Sequence, residues 1–391
     1  MGGALEGIRI IEIASYVTGP FAGLLLADMG ADVVKIEQPG QGDPFRGWGE
    51  NLYSSNFRSL NRNKRSLTLD LRKEDAREIF LKLASGADVL IENFRPGTLE
   101  KRGMGYDAVK ALNPRIVYCS ISGFGQTGPY RDRPGYDTVG QAMSGLLSLC
   151  TDPEKPQGMG ISFSDHLTGI YACYGILSAL VHRLQSGEGQ RVETSLLRAT
   201  VSFTSENAVR FFETGRVPRR ATRVRTAGVF AFTDREGLPF VIHLSSPDKF
   251  FRGLLDVVGK PELAEDARFR DRNARQKNHD ALSEMLEAIF RTGAREDWLR
   301  KLEEHDVPSA PLNTMDEVFK DPQVQTYGFP LEAEHPVMGK MKLVGSGVDL
   351  SATPPGVHLP PPMLGEHTEE ILGKIGYEAA RIAQLRENGV I

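Results

Sequence analysis

The chain has 391 residues, of which 40% are hydrophobic and 25% charged, a balance that suits a folded protein and argues against disorder. That length exceeds what one hydrophobic core usually serves, so two domains are expected. A net charge of -4 leaves no bulk positive field for nucleic acid or an anionic membrane, and an anionic small molecule needs a local basic cluster.

In chain order, Ile8-Arg9-Ile10-Ile11-Glu12-Ile13 reads as a buried strand, and Phe21, Leu24, Leu25 and Asp28 follow at helical spacing. Residues 32–37 read as a second strand, 73–85 as a helix, 89–91 as a third strand and 116–119 as a fourth. Repeated strand–helix–strand units predict an α/β fold with a doubly wound, mostly parallel, Rossmann-like sheet. Ligands of such sheets sit beyond the C-terminal strand ends. Residues 166–184 read as a long helix, apolar nearly all round and therefore buried. The Arg-rich residues 213–226 read as a linker. Residues 229–233 and 240–244 flank Asp234-Arg235-Glu236-Gly237 as a β-hairpin, which opens a smaller α+β domain. Proline-rich stretches at 354–355 and 360–362 read as extended connections, and a last helix starts near Glu366.

The first strand–helix turn, residues 14–23, lacks G-x-G-x-x-G, and Tyr16 and Val17 crowd a pyrophosphate. Glu37 sits where a dinucleotide fold places its ribose acid, but the turn argues against NAD. Two basic clusters stand out. One is Asn61-Arg62-Asn63-Lys64-Arg65, ahead of the apolar run 67–69. The other is Asn93-Phe94-Arg95, with Lys101 and Arg102 beyond. Either can meet phosphate oxygens, and Phe94 can stack on a base; a solvated charged loop is the alternative. Gly123-Phe124-Gly125-Gln126-Thr127-Gly128 permits a tight loop, followed by Arg133, Tyr136 and Asp137. Asp165 opens the long helix. Asp is a preferred N-cap, and a carboxylate held there is also a competent nucleophile towards an activated acyl group; the residues leave both readings open. His166 reads as structural. Scattered histidines argue against a metal site, and no G-x-S-x-G elbow is present. Three widely spaced cysteines form no CxxC pair, which suits a reducing cytoplasm. No apolar run reads as long enough for a bilayer. The acidic start does not read as a signal peptide, and Glu6 spoils a myristoylation signal.

The ordered stretches GPFAGLLLADMGADVVKIEQPGQGDPFR, LNRNKRSLTLDL, ENFRPGTLEKRGMGY, NPRIVYCSISGFGQTGP, GISFSDHLTGIYA and PMLGEHTEEIL are similar to those of the class III CoA-transferases, the CaiB/BaiF family. The likeness runs from residue 7 to about 372. It implies an interlocked homodimer, with a large CoA-binding domain from residues 1–200 and 325–391, a linker at 201–226 and a small α+β domain at 227–324. It implies that Asp165 attacks an acyl-CoA and carries the CoA as an aspartyl thioester, with Asp137 beside the reaction centre. CoA contacts are implied at Val17, Thr18, Gln38, Asn61, Arg62, Asn63, Lys64, Asn93, Phe94, Arg95, Lys101, Arg133 and Tyr136. CoA is then a substrate, with no tightly bound cofactor, no metal and no partner beyond a second copy.

Formyl-CoA transferases of the family carry Gln where this chain has Val17, and a glycine-rich run that is missing between Ala221 and Leu244. Both departures argue against formate or oxalate and for a larger acyl group. Arg223 and Arg225 are candidates for a second carboxylate. The related α-methylacyl-CoA racemases need a His where Tyr136 stands, which argues against that alternative isomerase.

Overall fold

Six short runs, four of them rich in β-branched and aliphatic residues, pair side by side in one sheet. The structure, a computed structural model, describes residues 2–391. The strands are β1 (Arg9–Ile13), β2 (Asp32–Glu37), β3 (Lys64–Thr68), β4 (Val89–Glu92), β5 (Val117–Ser122) and β6 (Arg191–Ser195). All neighbours are parallel, in the order β3-β2-β1-β4-β5-β6. The order reverses between β1 and β4, so a crevice opens beyond their C-terminal ends. Two of these strands, β3 and β6, are absent from the sequence reading. Each mixes charged and hydroxyl residues with a single aliphatic, so neither shows an apolar run.

Helices over the same stretch are α1 (Thr18–Asp28), α2 (Ser55–Leu60), α3 (Glu74–Ser85), α4 (Tyr106–Leu112), α5 (Asp137–Met143), α6 (Leu146–Cys150), α7 (Phe163–Ser186) and α8 (Leu196–Phe203). Successive strand residues point to opposite faces. Ile11, Val34 and Leu90 pack with Ile79, Phe80 and Leu83 of α3, and with Ile371, Leu372 and Leu385 from the C-terminal helices. Ile10, Val33, Val89 and Val117 pack on the other face with Leu26 of α1 and with Ala172, Ile176 and Leu180 of α7. Burial on both faces explains the nearly continuous aliphatic strands.

Two sequence readings of α7 need correction. Its 24 residues are long and apolar enough to cross a bilayer by length and composition, although one side is docked on the sheet. It is also not buried all round. Ile170, Tyr174, Leu177, Val181 and Leu184 are between 38% and 82% exposed and form one stripe.

The chain divides into two units. Among the described residues, one comprises 2–147, 158–206 and 325–391; the other comprises 148–157 and 207–324. In the second unit, β7 (Val229–Thr233), β8 (Pro239–His243) and β9 (Ser309–Pro311) form an antiparallel sheet. Its core holds Phe230, Phe240, Phe269, Leu286 and Phe290. Residues 201–226, read as a linker, are largely helical, with helices at Ser205–Thr214 and Arg220–Ala227. Arg225 is engaged by Asp280 at 2.7 Å within this unit.

Candidate active site

At the β1 terminus the chain turns sharply into α1. Tyr16 takes a left-handed conformation, φ 63°, unusual for a side chain of its size. Asp43 secures it: Oδ1 accepts from the N–H groups of Tyr16 (3.1 Å) and Phe45 (3.0 Å). Asp43 is in turn held by Lys35 at 3.0 Å. Lys35 also donates to Glu12 (2.9 Å) and to the Ala14 carbonyl (2.7 Å), and Lys64 meets the other Glu12 oxygen at 2.8 Å. All four side chains are essentially fully buried. Burial alone pushes the Glu12 carboxyl up, but the two ammonium groups outweigh it and hold the carboxyl low. Gly23 in α1 makes room, because a Cβ there would lie 2.0 Å from Glu12 Oε2. Just beyond β4, Asn93 staples the same turn. Its Oδ1 accepts from Ser15 N–H (3.0 Å), and its Nδ2 donates to the Ser15 carbonyl (2.8 Å) and Thr18 Oγ1 (3.0 Å).

Asp165 lies in the first turn of α7 rather than at its N-cap, which is Ser162. It borders an open cavity of about 340 Å³ beyond the sheet's C-terminal edge. Val17, Thr18, Asn93, Phe94, Arg95, Arg133 and Tyr136 line that cavity too, together with Tyr16 and Arg131. Asp137 sits behind Asp165 and accepts from its backbone N–H at 3.2 Å. Burial, and then the Asp137 charge, push the Asp165 carboxyl up to about 7. Burial also raises Asp137, against the pull of the Asp165 and Ser164 N–H groups, His166 and Gln141. A poorly solvated carboxylate at a helix start, in a cavity also lined by Arg95, Arg131 and Arg133, can attack an electrophilic carbonyl and can bind beside an anionic ligand.

A second cavity, about 430 Å³, shares Ser15 and Phe94 with the first. It is lined by Gln38, Leu69, Leu71, Arg72 and Arg102. Glu37 also reaches it, but Arg46 grips both its oxygens, at 2.7 and 2.8 Å, and Ser66 donates at 2.7 Å. An acid so occupied is a poor partner for a ribose.

The model of CoA-transferase family III matches residues 5–368. The chain belongs to CoA-transferase family III. It is 36% identical to a succinate–glutarate CoA-transferase of Agrobacterium fabrum over 385 residues, covering 95% of each chain. It is likewise 36% identical to an acetyl-CoA:oxalate CoA-transferase of Acetobacter aceti, over 90% of this chain and 92% of that one. A solved CaiB/BaiF family protein from Brucella suis superposes with a TM-score of 0.84 at 35% identity, covering 96% of this chain and 100% of that one.

Family III enzymes act on CoA thioesters, and the residues expected to meet CoA fall into three groups. Val17, Thr18, Asn93, Phe94, Arg95, Arg133 and Tyr136 share a cavity with Asp165, and Gln38 lines the second. Lys101 is exposed and lines neither; its neighbour Arg102 does. Asn61, Arg62, Asn63 and Lys64 are the clear correction, being buried and engaged inside the protein. Arg62 forks onto Asp28. Asn63 binds Asp28 and the backbone of Gly356, His358 and Leu359. Asn61 accepts from Lys64 at 3.0 Å. The reason is topological: these residues lead into and begin β3, at the edge of the parallel sheet opposite the ligand crevice. The loop after β3 carries Leu71 and Arg72 into the second cavity, and reading 64–68 as a strand points to it. Gln141, beside Asp137, was also missed, since a lone helical Gln gives no sequence signal.

Proposed function

We propose that this family III enzyme moves CoA from an acyl-CoA to a free carboxylic acid through a covalent thioester on Asp165. The observation that carries the reading is the partly buried Asp165 carboxylate at the head of a cavity rimmed by Arg95, Arg131 and Arg133. A carboxylate oxygen of Asp165 attacks the thioester carbonyl. The C–S bond breaks, leaving a mixed anhydride and the CoA thiolate. That thiolate attacks the aspartyl carbonyl and releases the donor as its free carboxylate. The acceptor carboxylate then attacks the aspartyl thioester, expelling the thiolate, which takes the acceptor acyl group and frees Asp165. Splitting the exchange this way avoids one high barrier, and the pocket cations offset the charge of two carboxylates meeting.

The two cavities meet at Ser15 and Phe94, which suits an extended ligand: the CoA nucleotide against Gln38, Arg72 and Arg102, and the thioester end at Asp165. The named activities of the relatives, on succinate with glutarate and on oxalate, support a short dicarboxylic acid as acceptor. The exposed stripe on α7 follows spacings of four and three residues, as in a coiled-coil seam, and supports a homodimer closed by a second copy. A reducing cytoplasm suits the three free thiols.

Incubation with succinyl-CoA followed by hydroxylamine or borohydride tests the chemistry. Mass spectrometry is expected to find the modification on Asp165, and Asp165→Ala is expected to lose ~10³-fold or more in kcat. An unmodified Asp165 in an active enzyme overturns the reading. Screening oxalate, succinate, glutarate and monocarboxylic acids then assigns the acceptor.

A further inference from the structure

Gln141 on α5 is 1% exposed and lines neither cavity described above. Its Nε2 donates to Asp137 Oδ2 at 2.6 Å and to the Ile161 carbonyl at 3.2 Å. Its Oε1 is buried without a hydrogen-bond partner among the described residues. Turning the amide over would set an oxygen against two oxygens, so the donor must face Asp137 and the acceptor is left orphaned. A side chain kept only for packing has no use for an orphaned acceptor; a leucine fills similar space without one. The neighbourhood is built for close approach. A Cβ on Gly140 would lie 2.9 Å from Leu196 Cβ and 3.2 Å from Ser164 Cβ, and Thr200 of α8 donates to Ser164 Oγ at 2.9 Å.

We propose that Gln141 is a positioning residue for CoA transfer: it clamps the Asp137 carboxylate between its own amide and the backbone N–H of Asp165, and ties both to the loop at Ile161 that leads into α7. This rests on the assignment of Asp165 as nucleophile. The clamp has a charge consequence. A donor on Oδ2 favours ionised Asp137, and ionised Asp137 works against ionisation of Asp165. Among the other groups here, His166 on α7 favours the Asp137 anion, while Tyr136 ahead of α5 and Arg95, Arg131 and Arg133 line the cavity that Asp165 borders. From α8, Leu196 and Thr200 pack here and carry no charge.

The test compares Gln141→Leu and Gln141→Glu with the wild type, using succinyl-CoA and glutarate across pH 5–9. Gln141→Leu removes donor and orphan together. It is expected to melt no lower than the wild type, to lose about tenfold or more in kcat, and to keep the KM for succinyl-CoA within about twofold. Its acid limb is expected to move to lower pH, since an Asp137 that holds its proton more readily opposes the Asp165 anion less. Gln141→Glu donates only while protonated, so its activity is expected to fall with rising pH where the wild type gains. A folded Gln141→Leu with wild-type kcat and pH profile overturns the proposal, as does a Gln141→Glu profile that follows the wild type. Failure of the nucleophile reading has a separate signature: Asp165→Ala that still transfers CoA.

Discussion

Asp165 is where local and long-range effects compete. The start of α7 favours an anion, yet burial and Asp137 keep the proton on up to about 7. Attack requires the carboxylate, so kcat is expected to rise with pH through about 7 along a single-proton limb; a flat profile from pH 5 to 8 would contradict this. The same shift predicts a stability effect. Unfolded, an aspartate loses its proton near ~4. Between that value and 7 the folded chain binds more protons, so wild-type stability falls as pH rises. Asp165→Asn removes the loss. Its melting temperature is expected to match the wild type near pH 4 and to exceed it by roughly 2–5 °C above pH 7, read by calorimetry. The sequence shows a carboxylate at a helix start. It does not show the raised proton affinity, because burial is set by the fold and the second charge comes from a residue 28 positions away.

Loops act through the strand end they occupy. The cluster at 61–64 and the loop carrying Arg72 flank the same strand, β3, on opposite edges of the sheet, and only the second opens to a cavity. Variants should separate the two roles. Lys64→Met leaves buried Glu12 with one cation fewer and is expected to lower stability by ~3–5 kcal/mol in urea melts, with KM little changed at a temperature where the variant is folded. Arg102→Ala is expected to do the reverse, raising the KM for acyl-CoA by about tenfold and leaving the melt alone. Equal effects of both on KM would undo the assignment of edges. Residue type made both clusters legible as anion-binding candidates. Which edge each occupies depends on recognising β3, and a strand whose one aliphatic residue, Leu67, sits among cations and hydroxyls hides that.

For the whole molecule, α7 has two apolar sides but only one sheet to cover. Ala172, Ile176 and Leu180 face the core, and Ile170, Tyr174, Leu177, Val181 and Leu184 face outward. If a second copy covers that stripe, the wild type should run as a dimer by light scattering, and Tyr174→Asp with Val181→Asp should release monomers. A wild-type monomer at micromolar concentration would remove the dimer from the proposal. Composition, strand periodicity and the ordered motifs were enough to determine an α/β chain of CoA-transferase type with Asp165 at a helix start, because those signals are local in sequence. Tertiary structure alone decided which charges are sealed inside, which loops share a cavity, and how Gln141 and Asp137 are set against Asp165. Burial and electrostatic coupling are set by residues far apart in the chain, and no run of neighbours encodes them.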